Sequence, residues 1–512
     1  MNTQLPPSSQ SLWIDDESSR HPKLDGDRRA DVVVVGAGIA GLTTAALLAR
    51  EGVEVVVLEA GTLGRGTSGH TTAKISALQG TTLSQLDRKH GRRVTAAYAE
   101  AQRSATAWIS GRVTQRDVDC QFERRPAWTY TTDPSNVADV EREAEVAAAV
   151  GLDAALGTPT ELPFEVAAAV TLPDQGQFDP YPYLLDLADE VATSSGCSVH
   201  ELSRVVRVGA KEVSTSNGKV RADHVVITTL LPITDRGLFF ARAEPKRSYL
   251  LAVEIDGPAP QGMYLSADEP KRSLRSAHDP DQPDDTDREL MLVGGGGHVT
   301  GRKAHTLAQY EELARWAGEH FEVAAVRRRW SAQDYTTADM LPFVGHAWAP
   351  LGGPLIATGL AKWGMTNGTA AAMVLADRIL GRTDGPSAPW AATWDPARLN
   401  RQVVERGAKL NGEVAFQMVN GWVRPGDDPG ERRPSVHRRH GRPVADVTSG
   451  GGEGAPCQLS LVCTHLGGIV RWNDAERSWD CPLHGSRFSE TGVVLDGPAV
   501  KALDGGPDAD AR

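Results

Sequence analysis

Residues 32–42 read VVVVGAGIAGL, and no other run restricts the fold of this 512-residue chain as tightly. Four consecutive valines favour a strand. Gly36, Gly38 and Gly41 then form G-x-G-x-x-G, and from Ile39 to Arg50 the apolar residues recur at helical spacing. A second β-branched run, Val53–Leu58, leads into Glu59. Strand, glycine turn, helix and strand in this order open a doubly wound α/β sheet. The first glycine permits the tight turn, the second lets a pyrophosphate reach the main chain, and the third packs helix on strand. Phosphates would lie on the helix N-terminus, where free N–H groups and the dipole favour negative charge. Glu59, 18 residues after Gly41, is placed to accept hydrogen bonds from a ribose 2′-OH. The expected dinucleotide-binding residues are Gly36, Ala37, Gly38, Ile39, Gly41, Glu59 and Ala60. The motif alone does not separate NAD from FAD.

The second strong feature is CTHLGGIVRWNDAERSWDCPLHGSRF, from Cys463 to Phe488. Cys463-x-His465, 15 residues, then Cys481-x-x-His484 brings two thiolates and two imidazoles together from two boxes. Such a set binds metal, and zinc is the first alternative, although C-x-H is not finger spacing. Five cysteines in a chain this long make no disulfide framework. Cys120 and Cys197 read as isolated core or surface residues, and nothing pairs Cys457.

Composition sets the outer limits. The net charge of −12 and the pI near 5.7 argue against a nucleic-acid footprint. The first 20 residues lack a basic and apolar leader, and no run approaches the ~18 apolar residues of a membrane span. A cytoplasmic protein is expected. Residues 1–29 read as a loosely held polar arm, and Val137–Val150 and Tyr183–Thr193 as helices. Strands are expected at Ser198–Val208 and Asp223–Thr228, a solvated hairpin loop over Glu269–Arg288, and strand, turn and helix over Leu355–Leu380. Near residue 418 the text turns Arg-, Gly- and Pro-rich, which marks a domain boundary.

The stretches QDYTTADMLPFVGHAW and LIATGLAKWGMTNGTAAAMVLADRIL resemble the closing segment of the D-amino-acid oxidase superfamily of flavoproteins, which includes glycine oxidase, sarcosine oxidase and dimethylglycine dehydrogenase. The resemblance covers about residues 30–400. It implies FAD, with a second helix N-terminus aimed at the flavin's pyrimidine edge, and Gly359, Trp363, Gly364, Met365 and Thr366 beside it. GRGTSGHTTAKIS (64–76) would run past the isoalloxazine, with His70, Thr71, Thr72 and Lys74 near the ring. A histidine matching His70 carries the flavin covalently in dimethylglycine dehydrogenase-like members; a polar residue lining a non-covalent site is the other reading. Val205 and Val206 match the strand whose backbone meets the adenine. CTHLG and CPLHGS, followed by Gly497–Ala499, resemble a Rieske domain over roughly residues 418–505. That resemblance makes Cys463, His465, Cys481 and His484 the ligands of a [2Fe–2S] cluster. Gly468 and Leu483 stand where high-potential relatives have a disulfide, and Phe488 where they have a tyrosine. Ser486 is kept. The expected potential is intermediate within about −150 to +300 mV.

The expected fold is therefore α/β: a Rossmann-type FAD-binding domain with an antiparallel-sheet substrate domain, plus a C-terminal all-β Rieske domain. The boundaries are 1–29 (arm), 30–417 (FAD-binding parts about 30–80, 195–235 and 340–400, substrate domain interleaved) and 418–512. The combination resembles FAD-dependent oxidoreductases of the amino-acid oxidase type. A flavin takes two electrons at once, whereas a cluster takes one. Together they suit dehydrogenation of a small amine or amino acid with single electrons leaving to an acceptor protein. The alternatives are a reductase or flavin monooxygenase component fed through the cluster, and a non-catalytic redox carrier or sensor. Tyr264, Arg275 and His298 are the substrate-face candidates, with Arg275 as partner of a substrate carboxylate.

Overall fold

The computed structural model describes residues 4–14, 18–234, 236–281, 289–348, 352–398, 401–424, 434–447 and 457–505. The valine run behaves as its composition requires. Strand Arg28–Val35 lies between Val55–Leu58 and Lys219–Ile227, parallel to both, and Val32–Val35 are buried on both faces. The eight-stranded sheet runs Phe343–His346, Leu355–Thr358, Lys219–Ile227, Arg28–Val35, Val55–Leu58, Ser198–His200, parallel after the first pair, and Glu212–Ser214 and Arg207–Val208 add antiparallel pairs beside Lys219–Ile227. Helix Ile39–Ala49 follows the first strand and packs on helix Gly364–Ile379. The approach is close: a Cβ on Gly368 would sit 2.9 Å from Ile39 Cγ2.

A second sheet of nine strands is dominated by antiparallel pairs. Its path runs Val323–Thr337, Ala243–Ile255, Glu289–Val299, Ser273–His278, Met263–Ser266, Glu123–Thr131, Ala168–Gln177, Lys74–Ile75. One pair, Met263–Ser266 with Glu123–Thr131, is parallel. The C-terminal unit has an antiparallel three-stranded sheet (Ser435–Arg439, Arg442–Val447, Cys457–Ser460) and a four-stranded one (Arg471–Asn473, Ser478–Asp480, Arg487–Ser489, Val494–Asp496). Leu459, Leu461, Trp479, Phe488 and Val494 give it a core of its own.

Four expectations change. The N-terminal arm is not loose: Leu12, Trp13 and Ile14 are buried, and Trp13 Nε1 donates to Thr71 O at 2.7 Å. The Asp/Pro-rich stretch after Glu269 contains a strand, Ser273–His278, because its apolar side chains pair inside the sheet; residues 282–288 lie outside the described set. Ser198–Val208 is two short strands, Ser198–His200 and Arg207–Val208. The boundary near residue 418 falls inside a continuous helix, Arg401–Val423, whose Val414, Met418 and Trp422 pack on the C-terminal core.

Candidate functional site

The glycine turn has the geometry its spacing demands. Gly36 is at φ +102°, and a Cβ there would meet Thr228 O at 2.9 Å. A Cβ on Gly41 would lie 2.0 Å from Gly36 O, so only glycine lets the helix sit this close to the turn. The first helical turn carries no acid and no side-chain cap from Gly38, which leaves its N-terminus suited to an anion. Ser68 Oγ lies over it, accepting from Ile39 N at 3.1 Å. Glu59 bridges the turn, with Oε2 accepting from Ala37 N at 2.9 Å and Oε1 from Gly61 N at 2.9 Å. Ser203 N donates to Glu59 O, which brings the 200–206 segment alongside, and Val206 is 43% exposed there. These residues fit the adenosine and pyrophosphate part of a dinucleotide.

Helix Gly364–Ile379 begins where expected and is preceded by two non-glycine residues in the left-handed region, Ala361 (φ +50°) and Lys362 (φ +67°). Such positions cost on the order of 1–3 kcal/mol each and cluster at working sites. Ala361 N holds the turn by donating to Tyr335 O at 3.1 Å. Behind it is a buried polar network: Gln79 Nε2 donates to Thr366 Oγ1 and Gln102 Oε1, and Tyr98 Oη donates to Gln79 Oε1. These donors and acceptors lock the start of the helix.

Lys362 is exposed to solvent. Its ammonium meets Ser248 Oγ, and a Cβ on Gly297 would be 3.2 Å from it. Asp334 has both carboxylate oxygens buried, close to the main-chain N–H of Lys362. Burial pushes its pKa up, against the attraction of Lys362 and Lys246. Sequence reading missed Lys362, Ser248 and Asp334. The signal was present in part, because Lys362 stands in the quoted turn directly before the second helix.

His70 lies in the loop after the first domain's second strand, its Nδ1 3.0 Å from Gly66 O, so Nδ1 carries the proton and Nε2 is the other ring nitrogen. Burial lowers its pKa and keeps the imidazole neutral. Thr71 and Thr72 contribute carbonyls that accept from Trp13 and Arg275. Lys74 is buried, donating to Tyr264 O at 2.8 Å and Ser273 Oγ at 2.7 Å, and burial with Arg275 nearby lowers it to about 7. The three substrate-face candidates have other partners. Arg275 gives its donors to the carbonyls of Ser276, Thr72, Ala73 and Phe178 and stacks on Trp13, which anchors the His70 loop. Tyr264 Oη donates to Glu161 at 2.7 Å, and His298 stacks on Tyr249 with Nε2 2.9 Å from its hydroxyl.

At the other end, Cys463 and Cys481 are free thiols, each 2% exposed, beside the His465 and His484 rings, whose centroids are 5.2 Å apart. Cys463 is pulled below its ordinary pKa by Cys481, by the main-chain N–H of His465 and Leu466, and by the Ser486 hydroxyl, against its burial. Two soft thiolates and two imidazoles, with donors converging on sulfur, fit a Rieske cluster. Gly468 is required beneath it, since a Cβ would lie 3.1 Å from Cys481 Sγ and 2.5 Å from Leu483 Cδ1. Phe488 is fully buried and gives no donor.

The cysteine–histidine end is docked on the first unit. Tyr335 Oη donates to His484 O at 2.8 Å, and Phe240 sits edge-on to the rings of His465 and His484 at 5.6 and 4.9 Å. Farther out, Tyr310 Oη donates to Glu476 Oε1 at 2.7 Å, and Arg247 faces the same carboxylate at 3.4 Å. No helix among the described residues is long and apolar enough to cross a membrane.

Comparison with known proteins agrees with this geometry. The FAD dependent oxidoreductase family (DAO) matches residues 31–378, and the Rieske [2Fe-2S] domain matches residues 427–507. A putative Rieske 2Fe-2S iron-sulfur protein, YhfW of Bacillus subtilis, is 31% identical over 494 residues, covering 94% of each chain. Cytochrome b6-f complex iron-sulfur subunit 1 of Nostoc is 53% identical over 45 residues, 9% of this chain and 25% of that protein. Among solved structures, glycine oxidase from Geobacillus kaustophilus superposes with TM-score 0.60 at 18% identity, covering 73% of this chain and 100% of that one. L-amino acid deaminase from Proteus vulgaris gives 0.58 at 16% identity, covering 76% and 100%. The two cofactors are FAD, bound by the oxidoreductase domain, and a [2Fe-2S] cluster, bound by the Rieske domain. The chain thus belongs to the FAD dependent oxidoreductase family, as an FAD-dependent enzyme that carries a Rieske iron–sulfur domain on the same polypeptide.

Proposed function

We propose that the enzyme dehydrogenates a small amine or amino acid and passes the electrons singly through its own Rieske cluster to an external one-electron acceptor. The observation that carries this reading is the docking of His484 against the FAD unit, through Tyr335 and Phe240. A cluster meant only for an outside partner has no need to bury a ligand histidine against the flavoprotein; His484 is 4% exposed. The substrate's amine carbon gives up a C–H as a hydride equivalent and its nitrogen gives up a proton, leaving an imine for water to hydrolyse. The two electrons then reach the acceptor in two one-electron steps. When bound, FAD supplies the two-electron oxidation and the cluster the one-electron outlet.

The chain's residues would do the positioning. Lys362 offers a cation to a substrate anion, and the buried Asp334 carboxylate offers a counter-charge to an ammonium. The helix start at Gly364 stabilises negative charge on the flavin's pyrimidine edge. His70 lines the site with Nε2, and Arg275 and Trp13 fix its loop. An anaerobic screen of amines and amino acids tests the reading, with flavin absorbance and the cluster's EPR signal followed together. Bleaching by one such compound with parallel cluster reduction is expected. Flavin reduction that never reaches the cluster would rule out the internal route.

A further inference from the structure

One strand touches both cofactor sites. In the ladder between Ala243–Ile255 and Val323–Thr337, Lys246 pairs with Asp334, Arg247 with Gln333 and Ser248 with Ala332. Because side chains alternate along a strand, Lys246, Ser248 and Asp334 share the face toward Lys362, and Arg247, Gln333 and Tyr335 share the face toward the Rieske unit. The same segment holds the flavin-side loops by its main chain: Gln333 O accepts from Thr67 Oγ1 at 2.6 Å, and Tyr335 O accepts from Ala361 N at 3.1 Å.

On the Rieske side, three carbonyls of the second ligand loop accept from FAD-unit side chains. Arg302 Nε donates to Pro482 O at 3.0 Å, Tyr335 Oη to His484 O at 2.8 Å and Gln333 Nε2 to Gly485 O at 2.8 Å. Gln333 and Tyr335 are both buried, and Gln333 is fixed in turn by Thr300 Oγ1, which donates to its Oε1 at 2.8 Å. Gly485 is at φ +72°, and a Cβ there would lie 2.5 Å from Pro245 Cβ and 2.9 Å from Tyr335 Oη. The ligand loop is pressed onto the FAD unit so closely that only glycine fits.

We infer that Tyr335 and Gln333 are positioning residues for the cluster: residues of the FAD unit that fix the His484 loop from outside the Rieske domain and raise the cluster's potential. Neutral donors, themselves buried, aimed at the ligand loop place positive dipole ends near the cluster. They favour its reduced form, which carries one more negative charge. They stand in for the donor that Phe488 cannot supply. The proposal takes from the preceding section only that electrons move between the two cofactors.

The test is a mediated EPR redox titration of the full-length holoprotein, without substrate, so a wrong substrate class leaves it intact. Tyr335→Phe and Gln333→Leu are each expected to move the midpoint to more negative potential and alter the g-values, with FAD and iron content unchanged. Tyr310→Phe is the control, since it removes a donor to Glu476 at the same interface but away from the ligand loop. It is expected to leave the potential where it was. Should Tyr335→Phe fail to load iron, Gln333→Leu carries the test. Unchanged potentials in the loop variants, or an equal shift in Tyr310→Phe, would overturn the proposal.

Discussion

Gly41 shows how much one missing methyl group can decide. An alanine Cβ would lie 2.0 Å from Gly36 O and 2.6 Å from Thr228 Oγ1, and neither the backbone nor the pinned threonine can yield. Gly41→Ala is expected to lower the flavin-to-protein ratio of the purified enzyme at least about tenfold, as a clash costing more than ~1.4 kcal/mol of binding requires. Gly38→Ala meets only Ser68 Oγ within the protein, at 3.1 Å, and that side chain can rotate, so it should fold normally and lose FAD through the Cβ it sets against the pyrophosphate. Wild-type flavin content in both variants would show that the turn does not hold the cofactor this way. Gly36, Gly41 and Glu59 were legible because their roles depend on neighbours a few positions away in sequence. So were the four Cys/His positions, whose spacing is itself the pattern. Arg275 was not. Its partners at Thr72 and Phe178 are chosen by the fold, so residue type alone could not tell a loop anchor from a substrate ligand.

Among the elements, helix Thr82–His90 is started by a residue of another helix. Glu143 accepts from Leu83 N at 3.0 Å and Ser84 N at 2.7 Å, and takes the place of a local cap. Burial nevertheless pushes its carboxyl up to about 7. The sign follows from proton binding. Between the ordinary pKa of about 4.5 and about 7 the folded state binds more protons than the unfolded one, so stability falls as pH rises through that window. Glu143→Gln cannot titrate and should lose that part of the slope. Between pH 4.5 and 7 the wild type is expected to lose roughly 3 kcal/mol more than the variant, read from urea midpoints across the window. Parallel profiles would mean that Glu143 keeps an ordinary pKa. The element hardest to read from sequence was strand Val323–Thr337. Its sequence, VAAVRRRWSAQDYTT, lacks apolar–polar alternation, and its two faces are assigned by Lys362 on one side and by a loop about 150 residues downstream on the other.

At the scale of the whole molecule, the contact between the two units rests on charge as well as packing. Arg247 is 1% exposed, with Nε and Nη1 lacking partners, and its nearest carboxylate, Glu476, belongs to the Rieske unit. Removing one member of a buried pair leaves the other uncompensated, at about 3–5 kcal/mol. Glu476→Ala is therefore expected to loosen the interface: amide exchange in Val323–Thr337 should accelerate while the core of Arg28–Val35 stays protected. Unchanged protection of the interface strand would show that the pair contributes little. The fold class and both cofactors were readable at this scale because each unit carries its own local motif. The manner of docking was not, because no short-range pattern links Tyr335 to His484.

The buried N-terminal arm bears on how the protein is made. Pro6 and Pro7 offer their carbonyls to Arg329, Trp13 reaches the His70 loop, and Ser9 donates to Glu476, 467 residues away. On a ribosome the last strand and helix of the dinucleotide cradle, ending at Ile379, emerge before either Cys/His box. Units fold as they emerge, so the FAD unit can form while the face that receives the cluster loop still stands open. Glu476 emerges after the whole FAD unit, so Ser9 gains this partner late, when the Rieske unit closes onto the face that its arm helps to form.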